Sequence, residues 1–365
     1  MSMLDCSDLS TVMRELARLP TPALAYDRAG IGDELDRLLS HMWRAVNGRL
    51  RCGIRFSIKA HAFPALLSWL AELGVGVEVS SMPEFHAALA AGVESISATS
   101  PGFSASDIVD LLEHGVELNL DNTAQLASVP TGTAVGLRLC TQLERPAAQR
   151  SDSYSRFGVV PDSSALQAQL QAGRHEVVRL HAHKRDLGRA EQLVSLLSQL
   201  SAARAVFPAV MTFNLGGCMT RLQREPGEAE RAWSQCARLF RDLPDGAQVL
   251  VEPGAQLLTS HRYMATRVLS CSSRAGGGRL AVVDASCWNL VRGSTLELIH
   301  PTQSTYGPLT ELVGPTCYEN DVWHAGVRLG ALQPGQLLVF RGVGAYVASM
   351  ARALHALPIP QQLLL

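Results

Sequence analysis

The chain has 365 residues, 47% of them hydrophobic, and a formal net charge of −1. That length allows two domains, or one large barrel with an appendage, around a sizeable core. The near-neutral balance argues against a nucleic-acid or polybasic membrane surface as its main business.

The start, MSMLDCSDLSTVMRELARLP, is acidic and amphipathic and lacks the basic opening and apolar core of a signal peptide. No stretch approaches the ~18 uninterrupted apolar residues of a membrane span. PALAYD, residues 22–27, predicts a strand that pairs with a C-terminal sheet. Then β-rich runs alternate with helix-like segments. Strands are expected at 54–59, 76–80, 95–99, 117–121, 134–140, 177–183, 209–215 and 248–252. Helices are expected at 63–73, 83–91, 104–114, 162–172, 187–202 and 227–243, with Gly74, Gly92 and Gly115 as left-handed caps. Eight such units predict a parallel sheet closed into a (β/α)8 barrel. After Gly254 the runs become short and turn-punctuated: RYMATRVLS, RLAVVDA, LTELVGPTC, GQLLVFRG. They predict a mainly antiparallel β domain, with Gly276, Gly277 and Gly278 at a hairpin tip. The expected division is 28–256 for the barrel, and 1–27 with 257–365 for the β-rich part. Eight cysteines, none in CxxC spacing, predict neither a metal site nor a redox pair but reduced thiols in a cytoplasmic protein.

In such barrels the working site lies at the C-terminal strand ends. Standing there are Lys59, Glu78, Asp121, Arg138, His181, His183, Asn214, Gly216, Gly217, Glu252 and Gly254. Singly, each has a plainer role as a solvated strand end, a structural histidine, a turn or a cap. Jointly they suit pyridoxal phosphate. An amine can bind its aldehyde, a carboxylate can keep the pyridine nitrogen protonated, and an imidazole can stack on the ring. A glycine turn after the seventh strand can approach a phosphate.

The motifs sharpen this. FSIKAH (56–61), GVGVEVSSMPEFHAALAAG (74–92), SRFG (155–158), HAH (181–183), NLGGC (214–218), EPG (252–254), YGPLTELVGPTCYEND (306–321) and GAY (344–346) occur in one order. In that order the chain resembles the fold-type III pyridoxal-phosphate decarboxylases, the diaminopimelate and ornithine decarboxylases among them. Alanine racemase is a more distant relative with the same barrel. The resemblance implies pyridoxal 5'-phosphate on Lys59, with Glu78, Arg138, His183, Gly216, Gly217, Glu252, Gly254 and Tyr346 as cofactor contacts. It implies Cys317 as the group that protonates Cα, with Cys317 and its neighbours contributed by the second subunit of a homodimer with shared active sites.

The chain also departs from the family pattern. HIGS becomes HKRD (183–186), the third glycine of the strand-seven loop becomes Cys218, and the arginine after EPG becomes Ala255. Two implied phosphate contacts are thereby altered, and Arg185 or Arg221 is a candidate replacement cation. An acid that follows the catalytic cysteine becomes Tyr318. Tyr318, Arg185 and Arg221 are therefore the candidate substrate contacts, for a small-molecule substrate whose distal end is neutral or anionic, as in siderophore-pathway members of the family. The expected function is amino-acid decarboxylation. The alternatives are a racemase using Cys317 or Tyr346 as second base, and a non-catalytic binding protein.

Overall fold

The computed structural model describes residues 6–141, 155–185, 187–275, 277–290, 296–301 and 306–365. The chain divides into two compact units, one running to Glu34 and resuming at Leu257–Leu365, the other Leu35–Gln256.

The first unit opens with helix α1 (Cys6–Arg18), strand β1 (Ala23–Tyr26) and the start of α2 (Arg28–Val46). The division thus falls inside α2 rather than before residue 28. The first turn of that helix is tied to its own unit: Gly30 N–H donates to Asp27 Oδ1 at 3.0 Å, and Arg28 N–H to the Leu365 carbonyl at 3.2 Å.

The second unit is a closed barrel of eight parallel strands in chain order. These are β2 (Arg51–Ser57), β3 (Gly76–Val79), β4 (Ile96–Thr99), β5 (Glu117–Leu120), β6 (Ala134–Arg138), β7 (Glu176–His181), β8 (Thr212–Asn214) and β9 (Gln248–Val251). Closure is the parallel pairing of β2 with β9. The intervening helices are α3 (Pro64–Glu72), α4 (Met82–Ala90), α5 (Ala105–Glu113), α6 (Ser164–Ala172), α7 (Ala190–Ala203), α8 (Thr220–Arg224) and α9 (Glu228–Phe240). The predicted caps Gly74, Gly92 and Gly115 all have positive φ. α5 carries a reciprocal capping box, Ser104 with Asp107.

Period-two alternation decides what the strands offer each side. Phe56, Val77, Val79, Leu137, Leu180 and Phe213 are buried apolar residues. Their polar alternates Ser57, Glu78, Arg138, His181 and Asn214 meet one another or a neighbouring strand's polar residue at the C-terminal end of the barrel.

After α10 (Ala255–Leu258) the remaining strands belong to the first unit: β10 (Arg262–Ser273), β11 (Arg279–Val283), β12 (Glu297–His300), β13 (Leu309–Val313), β14 (Val322–Arg328), β15 (Leu337–Arg341) and β16 (Gln361–Leu364). Most pairings are antiparallel, as expected, but β11–β13 and β1–β16 are parallel, so the sheet is mixed. β1 lies beside β10, as PALAYD predicted. Val12, Leu16, Ala23, Ala25, Tyr263, Ala265 and Val339 form one apolar cluster of this unit. Gly277 and Gly278 close the β10–β11 turn, where Arg274 N–H donates to the Gly278 carbonyl at 2.8 Å. The third predicted glycine of that tip, Gly276, and Asp186 of HKRD lie outside the described residues. Among the described residues no helix is long and apolar enough to cross a membrane.

Candidate active site

Lys59 stands two residues beyond the end of β2, on a single 3-10 turn (Ile58–Ala60) rather than in the strand itself. Its carrier turn is fixed from below. Ser57 N–H donates to the Pro253 carbonyl at 3.1 Å, and a Cβ on Gly254 would come within 2.8 Å of Ala60 Cβ. The glycine of EPG is therefore what lets the β9 turn pack under the lysine turn. The amine is 3.4 Å from Glu78 Oε2, with the lysine side chain 37% exposed. Glu78 itself is buried and accepts from Ser57 Oγ at 3.0 Å and Ser80 Oγ at 3.1 Å.

Glu252, at the end of β9, is the second buried carboxylate. Asn214 Nδ2 donates to one oxygen at 2.8 Å and His181 Nε2 to the other at 3.2 Å. Burial alone would raise this carboxyl. The charge and hydrogen bond of His181 and the Lys59 ammonium outweigh it and hold Glu252 below the usual carboxylate range. His183, past the end of β7, is governed by burial: desolvation, helped by the nearby Lys59 charge, pushes its imidazolium down to about 3, so the ring is neutral. Gly217 N–H donates to its Nδ1 at 3.2 Å. Gly216 has φ 62°, and a Cβ there would come within 2.7 Å of the Ala182 carbonyl. A Cβ on Gly217 would collide with the Glu252 carbonyl. Backbone alone fits at both places.

These groups surround one cavity of about 320 Å³, lined by Lys59, Glu78, Ser80, Thr99, Ser100, Pro101, Arg138, Arg156, Phe157, His181, His183 and Glu252. Arg138 donates to Asp121 Oδ1 at 2.9 Å, and its guanidinium carbon lies 4.4 Å from the Phe157 ring centre. Arg156 lies 4.0 Å from the same ring. An amine at the mouth, a buried ionised carboxylate and a neutral imidazole lining one pocket, with side-chain-free backbone at Gly216 and Gly217 against that imidazole, fit pyridoxal phosphate.

The barrel thus brings together Lys59, Glu78, Arg138, His183, Gly216, Gly217, Glu252 and Gly254. Arg185 and Arg221 are exposed and are not among the lining residues. Cys317, Tyr318 and Tyr346 belong to the β-rich unit. There Cys317 N–H donates to His355 Nε2 at 3.3 Å, and the Tyr318 ring lies 4.1 Å from that of Trp288. Tyr346 holds φ 67° in the GAY turn. Sequence reasoning assigned no role to His181, Asn214, Ser57, Arg156 or Phe157. His181 and Asn214 were visible as polar strand ends, but only the β7–β8–β9 pairing brings them onto Glu252.

Comparison with known proteins agrees. The chain is 28% identical over 358 residues to a diaminopimelate decarboxylase of Deinococcus radiodurans, covering 95% of this chain and 90% of that one. It is 24% identical to that of Zymomonas mobilis, covering 94% and 87%. In fold it is similar to the diaminopimelate decarboxylase of M. jannaschii in complex with L-lysine, with TM-score 0.81, 18% identity, and coverage of 97% and 89%. It is likewise similar to the lysine/ornithine decarboxylase of Vibrio vulnificus complexed with cadaverine, with TM-score 0.79, 19% identity, and 99% coverage of each chain. Residues 33–257 match the family model described as "Pyridoxal-dependent decarboxylase, pyridoxal binding domain". The chain therefore belongs to the pyridoxal-dependent decarboxylases, lyases that use pyridoxal 5'-phosphate to remove CO2 from amino acids.

Proposed function

We propose that this decarboxylase acts on an L-amino acid or amino-acid conjugate whose distal end is neutral or anionic, a citryl-diaminopropionate-like siderophore intermediate being one example. The charge of the cavity wall carries this reading. Its two carboxylates are already engaged, Glu78 by Ser57, Ser80 and Lys59, and Glu252 by His181 and Asn214. A distal ammonium would instead meet Arg138 and Arg156. Tyr318, with its neighbour Trp288, supplies aromatic surface where the family resemblance expects an acid. Arg156 thus joins Arg185 and Arg221 as a cation for a distal carboxylate.

The residues divide the work. Bound to the substrate's amine, pyridoxal phosphate supplies an electron sink that lets the bond from Cα to the carboxylate break with loss of CO2. Lys59 would hold the cofactor through its amine and release it to the substrate's amine. Glu252, kept ionised by His181 and Asn214, would be the residue that keeps the cofactor's ring nitrogen protonated. Neutral His183 would offer the cofactor ring a flat face without adding positive charge. Gly216 and Gly217 offer backbone to the phosphate, and Tyr346 a hydroxyl. The Cys317 thiol delivers a proton to Cα where CO2 has left. Cys317, Tyr318 and Tyr346 come from the partner subunit of a homodimer. Cys52, Cys140, Cys218, Cys236, Cys271, Cys287 and Cys317 form no disulfide, which supports a reducing, cytoplasmic setting.

The test is CO2 release over a panel of lysine, ornithine, diaminopimelate and conjugates with an anionic far end. Fastest turnover of the anionic conjugates supports the proposal. Lysine or ornithine as best substrate sinks it, and loss of optical purity without CO2 points to a racemase. Sharing of sites is tested by mixing Lys59→Ala with Cys317→Ala protein, each inactive alone. Random reassortment should restore about a quarter of wild-type activity, and no recovery refutes shared sites.

A further inference from the structure

The loop after β8 wraps the His183 ring more closely than a phosphate cradle requires. Gly216 leaves just enough room for the ring, since a Cβ there would lie 2.9 Å from His183 Nδ1. Gly217 N–H donates to that same nitrogen at 3.2 Å. The next residue, Cys218, is held at φ 67°, a left-handed conformation that favours glycine, yet it carries a side chain. Its Sγ lies 3.2 Å from His183 Nε2.

The two contacts together fix the proton. A backbone N–H can only donate, so Nδ1 accepts. A neutral imidazole has one proton, which must then sit on Nε2. Nε2–H faces the Cys218 sulfur, which accepts. Burial beside the Lys59 charge disfavours the doubly protonated ring, in which Nδ1 would turn a proton toward the Gly217 N–H.

We propose that Cys218 is a positioning residue, its sulfur accepting Nε2–H of His183 so that the ring is pinned at both nitrogens in a single tautomer and plane facing the cofactor. The proposal rests on the reading of His183 as a cofactor contact. A side chain stands at 218 against the preference of its own backbone, and glycine there would leave Nε2–H to solvent.

Side-chain 15N NMR of the histidine-labelled full-length chain, with and without pyridoxal phosphate, tests this, with His183→Asn assigning the ring. Wild type should show Nδ1 unprotonated and an Nε2–H signal protected from exchange with water. Cys218→Gly should keep the tautomer, through Gly217, but lose the protected Nε2–H signal and weaken cofactor binding about 2- to 10-fold, one hydrogen bond's worth. Cys218→Ser, with an oxygen acceptor, should recover both. A wild-type ring protonated at Nδ1 overturns the proposal without any variant. So does Cys218→Gly with unchanged His183 signals and cofactor affinity, since a thiol that merely fills the loop is replaced by glycine at no loss, and with some backbone relief. Should His183→Asn leave cofactor affinity intact while Cys218→Gly still loses the protected signal, the Cys218 contact is upheld and the reading of His183 as a cofactor contact is what fails.

Discussion

The neutrality of His183 makes a prediction about stability that needs no substrate. Burial first, and the Lys59 ammonium second, push the ring from an ordinary 6.5 down to about 3, with Glu252 pulling the other way and His181 and Arg138 adding to the depression. Between those two values the unfolded chain holds a proton that the folded chain refuses. Unfolding there takes up a proton, so stability falls as the solution is acidified through that window and is flat above it. One proton is worth about 1.4 kcal/mol per pH unit, so acidifying from pH 6.5 to pH 5 costs the cofactor-free protein about 2 kcal/mol through this ring alone. His183→Gln removes the titrating group. Urea unfolding at several pH values across that range should therefore show a slope for the variant shallower by about one proton. Equal slopes, or an NMR titration of the wild-type ring with a midpoint near its ordinary value, would refute the neutral, desolvated imidazole.

Lys59→Ala should abolish both CO2 release and the borohydride-sensitive visible absorption of bound cofactor, and should lower the thermal stability of the cofactor-free fold, because it leaves the buried Glu78 carboxylate to Ser57 and Ser80 alone. Arg156→Ala should raise KM for an anionic-ended substrate about 10- to 100-fold with kcat kept, the value of one charged hydrogen bond, and an unchanged KM would remove Arg156 from the substrate pocket. Gly254→Ala should cost about 1–3 kcal/mol by urea denaturation, through the collision with Ala60, and lower cofactor affinity by tilting the lysine turn.

The barrel was legible because its signals are local. Each strand is a short apolar run, and helices α3, α4 and α5 are each followed by a glycine at positive φ. The unpredicted elements fail for identifiable reasons. Helix α2 had a clear pattern, with Ile31, Leu35, Leu38 and Met42 at spacings of four, three and four and all buried, but it precedes the strand alternation and was passed over. Strand β16 has no comparable pattern: QQLL becomes a strand by parallel pairing with β1, at the opposite end of the sequence. Residues whose chemistry depends on such long-range pairing were the ones missed at the site.

Glu252 shows what that pairing adds. From sequence it is one carboxylate before a Pro-Gly turn, equally suited to capping a helix. The β7–β8–β9 pairing sets it beside Asn214 on the next strand and His181 on the one beyond, and the two donors occupy one oxygen each. A buried carboxylate without them would be driven toward its neutral form. It would then lose the charge that keeps a pyridine nitrogen protonated. The same two contacts leave it unavailable to a substrate ammonium. Charge for the cofactor and exclusion of a basic distal group therefore arise from one arrangement. Removing His181's donor should disturb both: His181→Leu is expected to shift the pH dependence of the cofactor's visible absorption and, at pH values where Glu252, still held by Asn214, stays ionised, to improve relative turnover of diamino acids through its freed oxygen. A variant that shifts the spectrum but leaves the substrate ranking unchanged would separate the two effects and assign specificity to Arg156 and Tyr318 alone.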